Sequence, residues 1–114
     1  MSNVTIYHNP RCSKSRQTLA LLRERNVEPE IIEYLKTPPS ESELTTIADK
    51  LGIPPAEMVR KKEASALKLS NTEDSAQWIA RMARNPQIIE RPIVVCGTRA
   101  RIGRPPENIL ELLS

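Results

Sequence analysis

The fold is decided by residues 4–16, VTIYHNPRCSKSR, where a short β-rich run meets a turn and then the start of a helix. Residues 4–7 combine β-branched and aromatic side chains, which is the composition of a strand. Pro10 prevents a strand or a helix from continuing through the turn. A leucine-rich stretch at near-helical spacing follows, and it predicts a helix that begins at Cys12 or Ser13.

Outward from this stretch, the sequence predicts the order β-α-β, then helices, then β-β-α. A second strand is expected around residues 31–34, and residues 93–96 are followed by a turn and a partner strand over residues 100–102. A final helix is expected after Pro105-Pro106, with apolar residues on its buried face. A right-handed β-α-β crossover that is closed by a hairpin and a helix is the outline of an α/β thioredoxin-like fold.

The middle of the chain predicts a helical insertion in that fold. Ser40 and Glu43 form a capping-box signature, and the apolar stripe after them predicts a helix that ends at Gly52. Thr72 is expected to cap a further helix that ends near residues 85–86. Neither a repeat nor a low-complexity linker interrupts the sequence, so we expect a single domain over residues 1–114.

Composition narrows the classes of function. The 114 residues are 39% hydrophobic and 27% charged, which excludes wholesale disorder. No apolar run approaches the roughly 18 residues of a membrane span, so a cytoplasmic protein without a membrane partner is expected. A net charge of +3 with 3% aromatic residues offers few stacking platforms, and no nucleic-acid partner is expected.

Basic residues are clustered rather than dispersed. One cluster surrounds Cys12, a second occupies residues 60–62, and residues 91–104 hold four arginines without an acidic residue. Any one cluster is most simply a solvated face. Three clusters around one cysteine would form a site for a small anion.

Cys12 is the candidate nucleophile. At the beginning of a helix the free amides and the helix dipole lower the pKa of a thiol and favour an anion. His8, four residues earlier, could stabilise the thiolate or simply close the strand through a hydrogen bond. The alternative for Cys12 itself is a buried, inert cysteine, which its polar flanks disfavour.

The second cysteine, Cys96, lies in the predicted strand and is most simply a core residue. Ser15 stands where a C-x-x-C motif would need its second thiol, and one histidine with two cysteines cannot supply a zinc ligand set, so no metal is expected. A second thiol would have to come from Cys96 or from outside the chain.

The arginines that could bind an anion lie far from Cys12 in sequence. A cysteine-loop phosphatase requires Cys-x5-Arg, whereas Arg16 follows Cys12 by four residues, so that spacing fails. Arg91 precedes Pro92, where a cis bond is expected, and Arg104 precedes Pro105. A guanidinium fork matches two oxygens of a tetrahedral oxyanion.

Together these residues resemble the ArsC family of arsenate reductases that use glutathione and glutaredoxin, and most of all its short YfgD-like branch. Five separated blocks carry the resemblance over essentially the whole chain: IYHNPRCSKSR (6–16), YLKTPP (34–39), RKKE (60–63), ERPIVV (90–95) and RIGRPPE (101–107). The resemblance departs at Ser13-Lys14, where the well-studied reductases have Gly-Thr.

The resemblance implies a mechanism. The Cys12 thiolate attacks arsenate, His8 helps to keep it ionised, and Arg60, Arg91 and Arg104 bind the oxyanion. Glutathione is then the co-substrate that supplies the second thiol, glutaredoxin resolves the mixed disulfide, and no bound cofactor is expected. Two alternatives remain: a thiol-sensing transcriptional regulator similar to Spx, which the missing C-x-x-C disfavours, and a protein that binds an oxyanion without turnover.

Overall fold

The computed structural model describes residues 3–113. The regular elements, in chain order, are β1 (Val4–His8), α1 (Ser13–Glu24), β2 (Glu30–Glu33), α2 (Glu41–Leu51), α3 (Lys61–Ala66), α4 (Ser75–Arg84), β3 (Ile93–Cys96) and β4 (Arg99–Ile102). Three 3₁₀ segments accompany them, at Pro55–Met58, Pro86–Ile88 and Pro106–Leu113. No helix in residues 3–113 is both long enough and apolar enough to cross a membrane.

The four strands form one sheet in the order β2-β1-β3-β4. β1 runs parallel to β2, with His8 opposite Glu33, and antiparallel to β3, with Val4 opposite Cys96. β3 and β4 form the predicted antiparallel hairpin, in which Gly97 takes the left-handed conformation that its turn requires. This is the sheet of a thioredoxin-like fold, as the sequence predicts.

The chain divides into two compact units. The first joins the segments up to Thr37 and from Arg91 onward, and it contains the sheet, α1 and the last 3₁₀ segment. Apolar side chains of these elements form its core: Val4, Ile6, Leu19, Leu22, Val94, Ile109 and Leu112. Gly103 lies so close to Thr18 and Pro92 that an added Cβ would be only 2.6 Å from the Thr18 hydroxyl oxygen.

The second unit, Pro38–Glu90, is the predicted helical insertion. Its core includes Leu44, Met58 and Met82, each fully buried, together with Trp78 at 1% exposure. The guanidinium of Arg81 and the ammonium of Lys61 lie 4.9 Å and 5.1 Å from the centre of the Trp78 ring. The single-domain prediction for residues 1–114 stays a prediction.

The structure confirms the capping box and corrects two local predictions. Ser40 and Glu43 exchange their two hydrogen bonds, and Gly52 ends α2 in the left-handed conformation. Asp74, not Thr72, caps α4, because its carboxylate accepts from two backbone N–H groups whereas the Thr72 hydroxyl accepts from Asp74 N. The helix predicted after Pro105-Pro106 is a 3₁₀ helix over Pro106–Leu113. Its buried residues recur at every third position, which is the period of a 3₁₀ helix.

Candidate active site

The sheet topology brings residues from four distant segments to one edge. Cys12 follows β1 and Tyr34 follows the parallel strand β2, so both lie beyond the carboxyl ends of these strands. Arg91 precedes β3 and Arg104 follows β4, and the antiparallel pairing of these strands places both at the same edge. The four side chains therefore converge although up to 92 positions separate them in sequence.

Cys12 occupies the N-cap position of α1, as the sequence predicts. Its backbone is extended, its N–H donates to Asn9 O at 3.0 Å, and its own carbonyl accepts from Arg16 N. The backbone N–H groups of Lys14 and Ser15, in the first turn of α1, interact with the thiol. The Cys12 side chain makes no capping hydrogen bond, so these N–H groups act on the sulfur electrostatically, as the free N–H groups at a helix N-terminus do.

Two arginines complete the surroundings of the sulfur. Nη2 of Arg104 donates to Cys12 Sγ at 3.6 Å, while Nε of the same side chain donates to Arg91 O at 2.8 Å. The guanidinium of Arg91 also interacts with the thiol, and its buried Nε has no hydrogen-bond partner among residues 3–113. Both arginines precede cis prolines, at Pro92 as predicted and also at Pro105.

Opposing effects set the pKa of the Cys12 thiol. Burial raises it, but the N–H of Ser15, the guanidinium of Arg91 and the N–H of Lys14 outweigh burial, and together they hold the pKa below its ordinary value. The thiolate therefore forms at a lower pH than in a free cysteine. An accessible thiolate that faces fixed positive groups is suited to nucleophilic attack on an oxyanion.

His8 lies next to Ser15. Its Nδ1 is 2.6 Å from Ser15 Oγ, and the same oxygen accepts from Asn9 N at 3.0 Å. Burial lowers the pKa of His8, while Glu33 opposes the change. A neutral imidazole is thereby favoured near pH 7, and His8 is connected to the Cys12 turn through the Ser15 hydroxyl. The predicted stabilising role of His8 stays a prediction.

Arg60 lies in the second unit, immediately before α3. Its Nε and Nη2 are each 3.9 Å from a carboxylate oxygen, of Glu90 and Glu63 respectively. Its Nη1 is buried without a hydrogen-bond partner among the described residues. The Arg60 guanidinium therefore makes two long ionic contacts, and its Nη1 is available to donate to a ligand.

Two other grooves lack this chemistry. One, of about 650 Å³, lies along α1 and is lined by His8, Pro10, Arg16, Leu19, Ala20, Arg23 and Glu24. Arg23 is paired there with Glu28 at 3.0 Å. The other, of about 260 Å³, lies beside Trp78 in the second unit. Cys12 lines neither groove.

Sequence reasoning missed Ser15 and Tyr34. In the sequence, Ser15 is notable only because it stands where a C-x-x-C motif would have its second cysteine. In the structure, the residue is fully buried and its hydroxyl is hydrogen-bonded to both His8 and Asn9. The sequence predicts Tyr34 within the second strand, whereas that strand ends at Glu33, one residue before it. The polar Ser15 on the inner side of an amphipathic helix was the available signal for the first residue. Tyr34 had none, because its placement depends on the pairing of β2 with β1.

Comparisons with known proteins agree with this geometry. The model of the ArsC family matches residues 7–112. YfgD of Escherichia coli K12 is 48% identical over 96% of both chains, and a protein of Haemophilus influenzae named arsenate reductase is 47% identical over 97% of this chain and 99% of its own. The solved structure titled arsenate reductase from Vibrio cholerae has a TM-score of 0.92 and 46% identity, covering 97% of this chain and 98% of that one.

Proposed function

The chain belongs to the ArsC family, and we propose that it is an arsenate reductase in which Cys12 reduces arsenate with glutathione and glutaredoxin as the source of electrons. One observation carries the assignment to this site: the Cys12 sulfur lies at the N-cap of α1, 3.6 Å from the Arg104 guanidinium. A nucleophilic sulfur and a cation that can bind an anion are therefore in direct contact.

In the first step, the Cys12 thiolate attacks the arsenic atom of arsenate. A sulfur–arsenic bond forms, an arsenic–oxygen bond breaks, and the oxygen leaves as water after taking up protons. Arg91 and Arg104 stabilise the negative charge of the oxyanion during this exchange. The family resemblance gives Arg60 the same role, and its unpartnered Nη1 in the second unit is consistent with that assignment.

The second thiol must come from another molecule. Cys96 lies opposite Val4, at the end of β1 remote from Cys12. The four residue steps from Val4 to His8 span about 13 Å of strand, whereas a disulfide requires Cα atoms no more than about 7 Å apart. Both cysteines are free in the structure. An external thiol is therefore required for a two-electron reduction.

Glutathione supplies that thiol in our proposal. Its sulfur attacks the arsenylated Cys12, a sulfur–sulfur bond forms, and the electron pair of the broken sulfur–arsenic bond stays with arsenic, which leaves as arsenite. Glutaredoxin then reduces the Cys12–glutathione disulfide and regenerates the thiolate. We place this cycle in the cytoplasm, where glutathione keeps thiols reduced.

A coupled assay tests the proposal. Oxidation of NADPH is followed with arsenate, glutathione, glutaredoxin and glutathione reductase, and arsenite is quantified in parallel. We expect turnover that disappears when glutaredoxin is omitted. Turnover with another dithiol reductant but none with glutaredoxin would retain the reductase and reject the coupling, and no arsenite under either condition would reject the reductase.

A further inference from the structure

Tyr34 presents a buried hydroxyl at the active-site edge of the sheet. The residue is 1% exposed, and its hydroxyl is one of three buried side-chain polar atoms in residues 3–113 without a hydrogen-bond partner. Another of the three is Nε of Arg91. Buried polar groups are nearly always hydrogen-bonded, so two unpartnered donors in one unit require an explanation.

The strand register places Tyr34 beside the Cys12 turn. β2 runs parallel to β1 and Glu33 pairs with His8, so Tyr34 comes next to Asn9, whose carbonyl accepts from Cys12 N. Tyr34 interacts electrostatically with Arg91, Cys12 and Arg104. The phenol therefore faces the same small region as the thiol and both arginines.

The neighbouring Asn9 side chain does not accept the phenolic hydrogen. Its carbonyl oxygen accepts from Arg11 N at 3.0 Å, and its interaction with Tyr34 lowers the pKa of the phenol, which is the effect of a donor and not of an acceptor. The sulfur of Cys12 accepts from Nη2 of Arg104, and it interacts with the first-turn N–H groups of α1. The phenolic hydrogen remains without an acceptor in the described part of the chain.

The phenol stays protonated at any physiological pH. Burial raises the pKa of Tyr34 to about 12, although Arg91 and the Asn9 amide oppose the rise. A neutral phenol is both a donor and an acceptor. Apart from the Cys12 sulfur, which already accepts from Arg104, the groups that act on it here are donors: two guanidinium groups and an amide. An acceptor that completes the arrangement must be negatively charged or carry oxygen lone pairs.

We propose that Tyr34 is a further oxyanion-binding residue, whose hydroxyl donates a hydrogen bond to an oxygen of the anion held between Cys12, Arg91 and Arg104. This inference rests on the proposed function and adds a neutral donor to the cationic ones. The neutral donor lets the site bind a further oxygen of the anion without adding to the mutual repulsion of the arginines.

The test uses Tyr34→Phe, which keeps the ring and removes only the hydroxyl. It is made in a Cys96→Ser background, so that alkylation by iodoacetamide reports on Cys12 alone. The rate of alkylation is measured against arsenate concentration, and separately against pH without arsenate. We expect the Tyr34→Phe variant to need about 10- to 100-fold more arsenate for the same protection, the effect of one hydrogen bond to a charged group.

Two further readouts separate this role from others. The pH profile of Cys12 alkylation should not change, because the phenol does not bind the sulfur. The melting temperature should be unchanged or higher, because an unpartnered buried hydroxyl is lost. A shifted pH profile would reject the proposal in favour of a bond to the thiolate, and a loss of folding would reject it because the hydroxyl would then be structural.

Failure of this inference is distinguishable from failure of the proposed function. Equal protection in both proteins, with arsenate turnover intact, would reject the role of Tyr34 and retain the reductase. Protection that weakens in Tyr34→Phe, in a chain that releases no arsenite, would retain the role of Tyr34 and reject the reductase. An absence of protection in the parent protein would reject the role of Tyr34, and arsenite release in the coupled assay would then decide on the reductase by itself.

Discussion

The two ends of the sheet carry the same residue types in different settings. At one end Cys96 lies opposite Val4 and Arg99, within the ladder of paired strands. At the other end Cys12 lies beyond the last residue of β1, with Arg104 3.6 Å from its sulfur. A cysteine and an arginine occur at both ends, so residue type alone does not define the active site.

The difference lies in the backbone groups that are available. Inside the ladder, the N–H groups near Cys96 are used in strand pairing, and the side chain packs partly against the apolar core. At the start of α1, the N–H groups of Lys14 and Ser15 have no helical carbonyl to bind, and they interact with the Cys12 thiol instead. A thiol becomes reactive where the chain leaves one element and begins another.

The largest expected effect separates the two cysteines. Cys12→Ser should abolish arsenate reduction, because a hydroxyl cannot supply the thiolate, whereas Cys96→Ser should leave the rate unchanged. The coupled NADPH assay measures both. Equal loss of activity in the two variants would contradict the scheme with a single protein thiol. Both cysteines, one at each end of the sheet, would then be needed for the reaction.

The arginines provide the next comparison. Arg91→Ala and Arg104→Ala should each lower kcat/KM for arsenate by about 100-fold, the usual cost of removing one donor to a developing oxyanion. Arg99→Ala, on the same hairpin but opposite Cys96, is the matched control and should not change it. Melting curves establish that the variants are folded. A comparable loss in Arg99→Ala would show that net charge, not position, governs the reaction.

Local sequence patterns were sufficient for much of the fold. The alternation in β1, the capping box of α2 and the β3–β4 hairpin are each encoded within a few residues, and the structure has them where the sequence predicts. The short helix α3 was missed, because only Ala64 is buried along it and no apolar stripe marks it. The sequence indicates only a basic cluster at its first residues.

Candidate site residues were predictable where chemistry marks them in sequence. Cys12, Arg91 and Arg104 stand out by charge clustering and by their position before or after a turn, and the structure brings these three together. Tyr34 has no such mark, and the mark of Ser15 is only its polarity on the buried side of α1. Their surroundings arise from burial and from strand register, which involve residues distant in sequence, and a serine or a tyrosine is ordinary in either position.

Ser15 offers a test of how the active-site end is held. Ser15→Ala removes the partner of His8 Nδ1 and of Asn9 N, and leaving such buried groups unpaired should lower the free energy of unfolding by about 1–3 kcal/mol. Ser13→Ala, at an exposed position in the same helical turn, is the control and should have little effect. Urea denaturation at pH 7.5 measures both. Equal stabilities would mean that the Ser15 hydroxyl does not order the turn.

The smallest effect is a pH dependence that belongs to the active-site end alone, since His8 is the only histidine of the chain. Burial lowers the pKa of folded His8 below its ordinary value of 6.5, with Glu33 opposing the change and Arg23 and Arg16 adding to it. Well above pH 6.5, His8 is neutral in both the folded and the unfolded state, and the shift has no effect on stability. Below it the unfolded chain binds the proton more readily, so the free energy of unfolding should decrease as the pH falls.

Urea denaturation between pH 7.5 and pH 5.5 measures this slope in the parent protein and in His8→Asn, whose amide does not titrate. The carboxylates titrate mainly below this range, and the lowered pKa of Cys12 acts in both proteins, so the difference between the slopes belongs to His8. We expect a shallower slope in His8→Asn. Equal slopes would mean that the imidazole binds its proton as readily in the folded state, and the Ser15 hydroxyl would then face an imidazolium at acid pH.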